Sequence, residues 1–157
     1  MNNLILSLVA GLGATLAIGV LSYAEVSLTE VVLLMAPFGA TAVLVFGVPS
    51  SPLAQPKNVI IGHFITASIG IAFSQYVDVT PVTLAIATGL GVSAMLITKT
   101  THPPAGANPI LIMASGQGWS FLFTPVLIGA VVIVLVGKGL QLLQSQYLTP
   151  RLNGQKT

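Results

Sequence analysis

The chain has 157 residues, of which 54% are hydrophobic and 5% are charged, namely five Lys/Arg and three Asp/Glu. A soluble domain carries roughly 25% charged residues, so these few charges exclude a water-soluble globule. The net charge of +2 offers no basic face to nucleic acid, and the absence of Cys excludes disulfides and thiolate metal sites. We therefore predict an integral membrane protein in direct contact with the lipid bilayer.

Four apolar stretches are long enough to be transmembrane helices. A helix needs about 20 apolar residues to cross a hydrocarbon core of roughly 30 Å. The four predicted spans are Leu4–Tyr23, Val59–Tyr76, Pro81–Thr98 and Phe121–Leu143. Two shorter apolar stretches, Val31–Gly47 and Ala105–Ser115, lie between these spans.

Both short stretches are interrupted by proline and glycine. The first contains Ala-Pro-Phe-Gly-Ala-Thr over 36–41, and the second opens with His-Pro-Pro-Ala-Gly-Ala-Asn-Pro over 102–109. Pro lacks a backbone N–H and Gly costs about 1 kcal/mol inside a helix, so these clusters break a helix. In lipid, such backbone is tolerated only where protein or a water-filled cavity satisfies it. We predict half-helices that begin at Gly39-Ala40 and at Gly106-Ala107.

The charges between the stretches predict a topology. If all six stretches cross, the acidic residues lie on one side of the membrane and the basic residues on the other. The acidic residues are Glu25, Glu30 and Asp78, and the basic residues are Lys57, Lys99, Arg151 and Lys156. The positive-inside rule then makes both termini cytoplasmic. Re-entrant short stretches would instead move Lys57 and Lys99 outside, and we favour six crossings.

The chain also matches itself at an offset of 67 residues. Eight identities occur without a gap, and the most specific are Pro37 with Pro104, Gly39 with Gly106, Gly62 with Gly129, and Gly70 with Gly137. The match divides one transmembrane domain, 1–157, into repeat 1 (about 4–76), repeat 2 (about 80–143) and a short tail (144–157). Each repeat has three segments, so the second is inverted, a pattern typical of a transport site near the bilayer midplane. The alternative is a duplication kept only for packing.

The paired half-helix ends predict a site for a small solute. The first N–H groups of a helix lack partners inside the helix, and the helix dipole adds about half a positive charge there. The candidate residues are Gly39, Ala40 and Thr41 in the first stretch and Gly106, Ala107 and Asn108 in the second. The spans hold no acidic residue, which argues against a carboxylate proton relay or Na⁺ site. The pattern suits a small anion or a neutral polar solute.

Three ionisable residues are further candidates, each with a structural alternative. His102 either donates to the solute or caps the chain reversal, and His63 is either functional or bonded to a neighbouring carbonyl. Lys99 either attracts anions or extends along the span toward the interface. Thr41 and Asn108 alternatively satisfy local N–H groups at the helix starts. No catalytic set, metal cluster or cofactor motif occurs in the spans, so we expect no enzyme and no cofactor.

The string Thr-His-Pro-Pro-Ala-Gly-Ala-Asn-Pro over 101–109 closely resembles the signature of the HPP family of integral membrane proteins, and the similarity covers nearly the whole chain. The resemblance marks His102, Pro103 and Pro104 as signature residues. It implies a transporter or channel in a bacterial inner membrane or a cyanobacterial or plastid membrane, because plastid and cyanobacterial members are linked to nitrite transport. The family is usually described with four spans and the signature in a loop, whereas the repeat indicates six segments.

These observations predict an all-α polytopic membrane protein with a 3+3 inverted repeat, four full spans and two broken half-helix segments. We expect it to move a small monovalent anion, with nitrite the first candidate, past the paired half-helix ends. So small a chain has few helices with which to enclose a path, which favours a homo-oligomer. The alternatives are a channel for a small neutral solute and a structural subunit of a membrane complex.

Overall fold

The computed structural model of the chain describes residues 3–28 and 31–147. Within these residues every regular element is helical and no strand occurs, which confirms the predicted all-α membrane class. Glu30, Arg151, Lys156 and the tail from residue 148 lie outside the described residues.

Six helical segments follow one another in the described part of the chain and match the six apolar stretches. They are α1 (Asn3–Ser27), α2 (Pro37–Ala42, continued as a π-helix over Val43–Gly47), α3 (Pro56–Tyr76), α4 (Pro81–Ile97), α5 (Asn108–Ser115, preceded by a 3₁₀ turn over Pro103–Ala107) and α6 (Ile128–Tyr147, preceded by a kinked π-helical stretch over Leu122–Leu127). A further 3₁₀ turn, Pro52–Ala54, precedes α3.

Three helices in the described residues are long and apolar enough to cross a membrane, namely Asn3–Ser27, Pro56–Tyr76 and Leu122–Gln146. They correspond to three of the four predicted spans. The fourth, α4, has 17 residues, a length of about 26 Å that lies at the lower limit for a span. Its start is well defined, because Thr80 before the helix and Thr83 in its first turn form a reciprocal capping box on either side of Pro81.

The two broken segments begin at other residues than predicted. The first helix begins at Pro37 rather than at Gly39, because proline fits the first helical position, where no N–H is needed. In the second, Pro103 to Ala107 form the 3₁₀ turn and the α-helix begins only at Asn108. Pro109 requires this late start, since proline fits only the first turn of an α-helix. α5 ends at Ser115, and the next residue, Gly116, has a left-handed φ of 65°.

Each broken segment is shorter than a membrane is thick. The helical part of the first, Pro37–Gly47, is about 16 Å long, and Pro103–Ser115 is about 22 Å long. Neither spans the roughly 30 Å core as a helix. Crossing therefore requires the non-helical residues that precede each segment, 31–36 and 100–102.

Helix α3 lies at the centre of the fold, packed against α4, α5 and the stretch that leads into α6. Its buried face repeats every three or four residues and consists of Val59, Gly62, His63, Thr66, Ala67, Gly70 and Ile71. Close approach needs glycine on this face: a Cβ at Gly70 would lie 2.8 Å from Pro109 Cα. The small residues thus bring the second broken segment into contact with the backbone of α3.

The same kind of contact recurs on α6. A Cβ at Gly129 would collide with the ring of Phe38, and one at Gly137 would collide with Val45, both in the first broken segment. Helix α6 therefore uses two glycines to pack on the first broken segment, as α3 uses Gly70 and Gly62 to pack on the second. Helices α3 and α6 therefore each contact the broken segment of the other half of the chain.

Helix α1 presents an apolar outer face. Leu4, Leu8, Leu12 and Leu16 recur every four residues and are all exposed. The inner face carries Gly13, Ala17 and Leu21, which are buried. The charged residue of this long helix is Glu25, near its end, and an exposed leucine stripe on such a helix is the pattern of a surface that contacts lipid.

Candidate functional site

Five fully buried polar side chains meet at the middle of the fold. They are Thr41, His63, Thr66, His102 and Asn108, each with 0% exposure. Hydrogen bonds join all five into one group, which we call the histidine cluster. α2 supplies the first, α3 the next two, and the segment around the second break supplies the last two. Both broken segments therefore contribute to one polar group around α3.

A single hydroxyl bridges the two imidazole rings. Thr41 Oγ1 lies 2.9 Å from His63 Nε2 and 3.0 Å from His102 Nε2. The ring centroids are 5.1 Å apart and the rings are inclined at 63°. The Phe38 ring meets His63 edge-on at 5.4 Å, which closes the cluster on its apolar side. The Thr41 hydroxyl hydrogen has a second acceptor in reach, the Pro37 carbonyl oxygen at 3.1 Å.

The partners of His102 define where its hydrogen lies in the neutral ring. Its Nδ1 is 2.8 Å from the carbonyl oxygen of Leu53, which can only accept, so Nδ1 must donate. Its Nε2 is then the acceptor and receives a hydrogen bond from the Thr41 hydroxyl. His102 therefore ties the first residues after α4 to the turn before α3.

The partners of Asn108 assign the other end of the cluster. Its Nδ2 lies 3.2 Å from the His63 carbonyl oxygen, 3.0 Å from His63 Nδ1 and 3.0 Å from Thr66 Oγ1, which itself donates to Gly62. His63 Nδ1 therefore accepts, and its Nε2 donates to Thr41. With neutral rings, the hydrogen bonds run in one direction from Asn108 through His63 and Thr41 to His102.

One acceptor in the cluster is left over. Asn108 Oδ1 is buried and has no hydrogen-bond partner in the structure. An unpaired buried acceptor of this kind costs about 1–3 kcal/mol. By contrast, the N–H donors of the two rings, the Thr41 hydroxyl and the Asn108 amide each have an acceptor within the cluster or at the Leu53 carbonyl oxygen.

An apolar cavity of about 590 Å³ lies between the two broken segments. Pro37 and Ala40 line it from the first segment, and Pro103, Pro104 and Ala107 line it from the second. Ser115 is the one polar residue of its lining in the described part of the chain. Ala40, Pro103 and Ala107 are exposed, so the cavity is open at the protein surface.

The predicted site residues thus fall into three groups. Thr41, His63, His102 and Asn108 meet in the histidine cluster, and Ala40, Pro103, Pro104 and Ala107 line the apolar cavity. The remaining three lie elsewhere: Gly39 lines a separate cavity of about 460 Å³ between α1 and α2, Gly106 is half-buried, and Lys99 is exposed with a left-handed φ of 54°.

The unpaired N–H donors predicted at Gly39 are not present. The Gly39 N–H donates to the Ala36 carbonyl oxygen at 3.1 Å. The Phe38 N–H donates to the Met35 carbonyl oxygen at 3.0 Å. The reason is the earlier helix start, which makes Gly39 the third residue of α2 and lets the preceding turn satisfy both groups. Polar side chains, rather than backbone amides, therefore provide the polar surface at this break.

Two members of the site escaped sequence analysis. Thr66 lies three residues after His63, so helical periodicity places it on the same face of α3 and was a usable signal. The carbonyl oxygen of Leu53, which holds His102, comes from a turn 49 residues away and leaves no trace in the sequence.

Long apolar helices and a polar cluster buried between broken segments define this chain as a polytopic integral membrane protein. The chain belongs to the HPP family, because the model of the HPP transmembrane region matches residues 2–148. The resemblance noted in the sequence is thereby confirmed at the family level.

Two relatives are transmembrane proteins of Dictyostelium discoideum. They are 37% and 36% identical to this chain over alignments of 128 positions, and each alignment covers 76% of this chain. The matched region covers 45% of the first relative and 41% of the second, so this chain spans less than half of their length. No solved structure matches the chain.

Proposed function

We propose that this protein is a membrane transporter or channel for a small monovalent anion, with nitrite as the first substrate to test. The observation that carries the proposal is the histidine cluster, to which both broken segments contribute. Buried polar groups are costly in a membrane, and inside membrane segments they mark solute and ion pathways. Nitrite itself rests on the resemblance of the 101–109 string to HPP proteins linked to nitrite transport.

The charge of the interior supports an anion over a metal cation. The fully buried polar side chains in the described residues are hydroxyls, an amide and two imidazoles, and no carboxylate is among them. No group of three or more His, Cys, Asp or Glu that could hold a metal ion occurs there either. A protonated imidazole is the positive charge this interior can offer to an anion.

The packing contacts support the inverted repeat. Thr41 and Asn108, which the 67-residue offset aligns, bond to opposite nitrogens of His63. Gly70 and Gly137 are aligned, and their neighbours Ile112 and Val45 are aligned as well. Equivalent contacts exchanged between the two halves are what a pseudo-two-fold axis through the middle of the fold generates.

A neutral small solute is the second candidate. The cavity between the broken segments is lined by alanine, proline, isoleucine, leucine and one serine, and such a surface stabilises no net charge. An uncharged solute would cross it without losing strong hydration.

Uptake by proteoliposomes tests both candidates. Purified protein is reconstituted, nitrite or nitrate is added outside, and internal solute is measured against protein-free vesicles. We expect nitrite uptake above the protein-free rate, and reduced uptake in His102→Ala but not in Lys99→Ala, since Lys99 lies outside the cluster and both cavities. If neutral solutes cross the vesicle membrane and nitrite does not, the second candidate is favoured. If no solute crosses, the result favours a structural subunit of a membrane complex.

The homo-oligomer remains a prediction. The mass of the purified protein in detergent, corrected for bound detergent, measures it directly. A mass near the 16.1 kDa of one chain would contradict it.

A further inference from the structure

We infer that the solute passes the histidine cluster as a neutral, protonated weak acid, and that the His63–Thr41–His102 chain supplies its proton. The inference rests on the proposed transport function and names the chemical form of the solute at the site. Transport would then move one proton with each anion and carry no net charge across the membrane.

The free group of the cluster selects for a donor. Asn108 Oδ1 is buried without a partner, whereas the ring and amide donors of the cluster already face acceptors. A bare anion has only acceptors, so it would meet another acceptor at Oδ1 and no free donor. The O–H of a protonated acid, by contrast, would donate to Oδ1 and satisfy it.

The cavity selects for the same form. Its lining from Pro37 and Ala40 on one side to Pro104 and Ala107 on the other carries no charge, and Ala40 and Ala107 are the chain neighbours of the cluster members Thr41 and Asn108. An anion that entered it would lose its hydration without replacement, because an apolar lining disfavours the charged form. Protonation by the cluster removes that cost, because the solute is then neutral where it contacts the apolar lining.

The bridging hydroxyl gives the proton a path. The Thr41 hydroxyl hydrogen has acceptors at both His102 Nε2 and the Pro37 carbonyl oxygen, and Thr41 Oγ1 accepts from His63 Nε2. An extra proton on His63 can therefore reach His102: the His63 Nε2–H bond breaks as a new O–H bond forms on Thr41, and the original Thr41 O–H bond breaks as an N–H bond forms on His102 Nε2. Within the described residues, the titratable side chain that faces each ring is the other imidazole.

The step balances without any other reactant. An imidazolium N–H bond breaks, its electron pair stays on the ring nitrogen, and an O–H bond forms on the anion. The products are a neutral imidazole and the neutral acid. On the far side the acid releases the proton to water, and a new proton from the first side restores the imidazolium.

The inference is tested on the natural chain by a flux measurement under voltage clamp. Vesicles contain a pH dye, potassium and valinomycin set the membrane potential, and nitrite is added outside. We expect internal acidification that accompanies nitrite uptake, faster uptake at lower external pH, and a rate that does not change with the potential, after subtraction of protein-free vesicles. Uptake that follows the potential without acidification would overturn the inference and leave the transport function intact. No nitrite uptake at any pH would overturn the transport function itself.

Variants locate the proton path. Thr41→Val removes the bridging hydroxyl at nearly constant volume and Thr41→Ser retains it, whereas Thr100→Val removes a buried hydroxyl that bonds to Thr98 outside the cluster. We expect Thr41→Val to lower the acidifying uptake at least about tenfold, with Thr41→Ser and Thr100→Val close to the natural rate. Equal rates in all three variants would overturn the role of the hydroxyl. The helical circular dichroism signal of each reconstituted variant separates a loss of uptake from misfolding. The test on the natural chain under a set membrane potential does not depend on any variant.

Discussion

At the scale of single residues, the proposed function depends on a few neutral polar side chains buried at the middle of the fold. Thr41 and Asn108 look in the sequence like ordinary helix-start residues, whose role is to satisfy nearby N–H groups. In the structure their side chains instead reach the two nitrogens of His63. The interpretation that these two side chains only satisfy nearby N–H groups therefore does not describe their main contacts. Thr41 also donates to the Pro37 carbonyl oxygen in its own turn.

Filling the cavity from Ala107 tests whether the solute passes between the broken segments. Ala107 is exposed and lines the cavity, so leucine fits there without displacing buried neighbours but narrows the opening. We expect Ala107→Leu to reduce proteoliposome uptake severalfold at unchanged protein yield. Ala85→Leu, on the exposed face of α4 and outside the cavity, serves as the control and should transport normally. Normal uptake in both variants would exclude this route.

At the scale of elements, glycines decide how closely the helices approach. On α3 a Cβ at Gly70 would press on the backbone of Pro109, which cannot move aside as a side chain can. On α4, by contrast, a Cβ added at Gly89 would have no neighbouring side chain or other helix within 4 Å. We expect Gly70→Ala to lower the free energy of unfolding by about 1–3 kcal/mol and Gly89→Ala to raise it by up to about 1 kcal/mol. Thermal unfolding in detergent measures both, and equal shifts would contradict the packing of α3 on α5.

The link between α1 and α2 depends on one carboxylate. Glu25 Oε2 accepts hydrogen bonds from the N–H groups of Leu33 and Leu34, both at 2.8 Å, in the non-helical stretch before α2. Sequence analysis used Glu25 only as a topology marker. We expect Glu25→Gln to lower the free energy of unfolding by about 1 kcal/mol, because the neutral amide accepts more weakly than the carboxylate.

Asp78→Asn is the matched control for this change, since Asp78 is exposed after α3 and its removal should leave stability unchanged. Limited proteolysis of the segment before α2 supplies a second readout. Faster cleavage is expected in Glu25→Gln alone, and equal cleavage in both variants would contradict the tether.

At the scale of the whole molecule, the number of crossings remains the main prediction to test. The absence of Cys makes single-cysteine labelling direct, because any reaction with a membrane-impermeant maleimide reports the introduced residue. Ser27→Cys and Lys57→Cys lie before and after the first broken segment, and both positions are exposed. Six crossings place them on opposite sides of the membrane, so we expect each to react from a different side. Reaction from the same side would indicate a re-entrant segment, and the unmodified chain is the control.

The sequence by itself determined the membrane class, the six helical segments and the two breaks. These properties are local, since helix length follows from the length of an apolar stretch and a break follows from Pro and Gly within a few residues. It also identified four of the five cluster members, because a polar side chain in an apolar chain stands out regardless of its partner. Even the misplaced helix starts, Pro37 and Asn108, lay within two residues of the predictions.

Only the tertiary structure decided what those residues do together. Thr41 is 22 residues from His63 and 61 residues from His102, and no local pattern states that one hydroxyl joins both rings. The direction of the hydrogen bonds depends on carbonyl groups of other turns, and the apolar lining of the cavity depends on how two broken segments face each other. Such contacts arise from the packing of α3 and α6 on distant segments, where backbone approach and hydrogen-bond geometry, rather than residue type, determine which atoms meet.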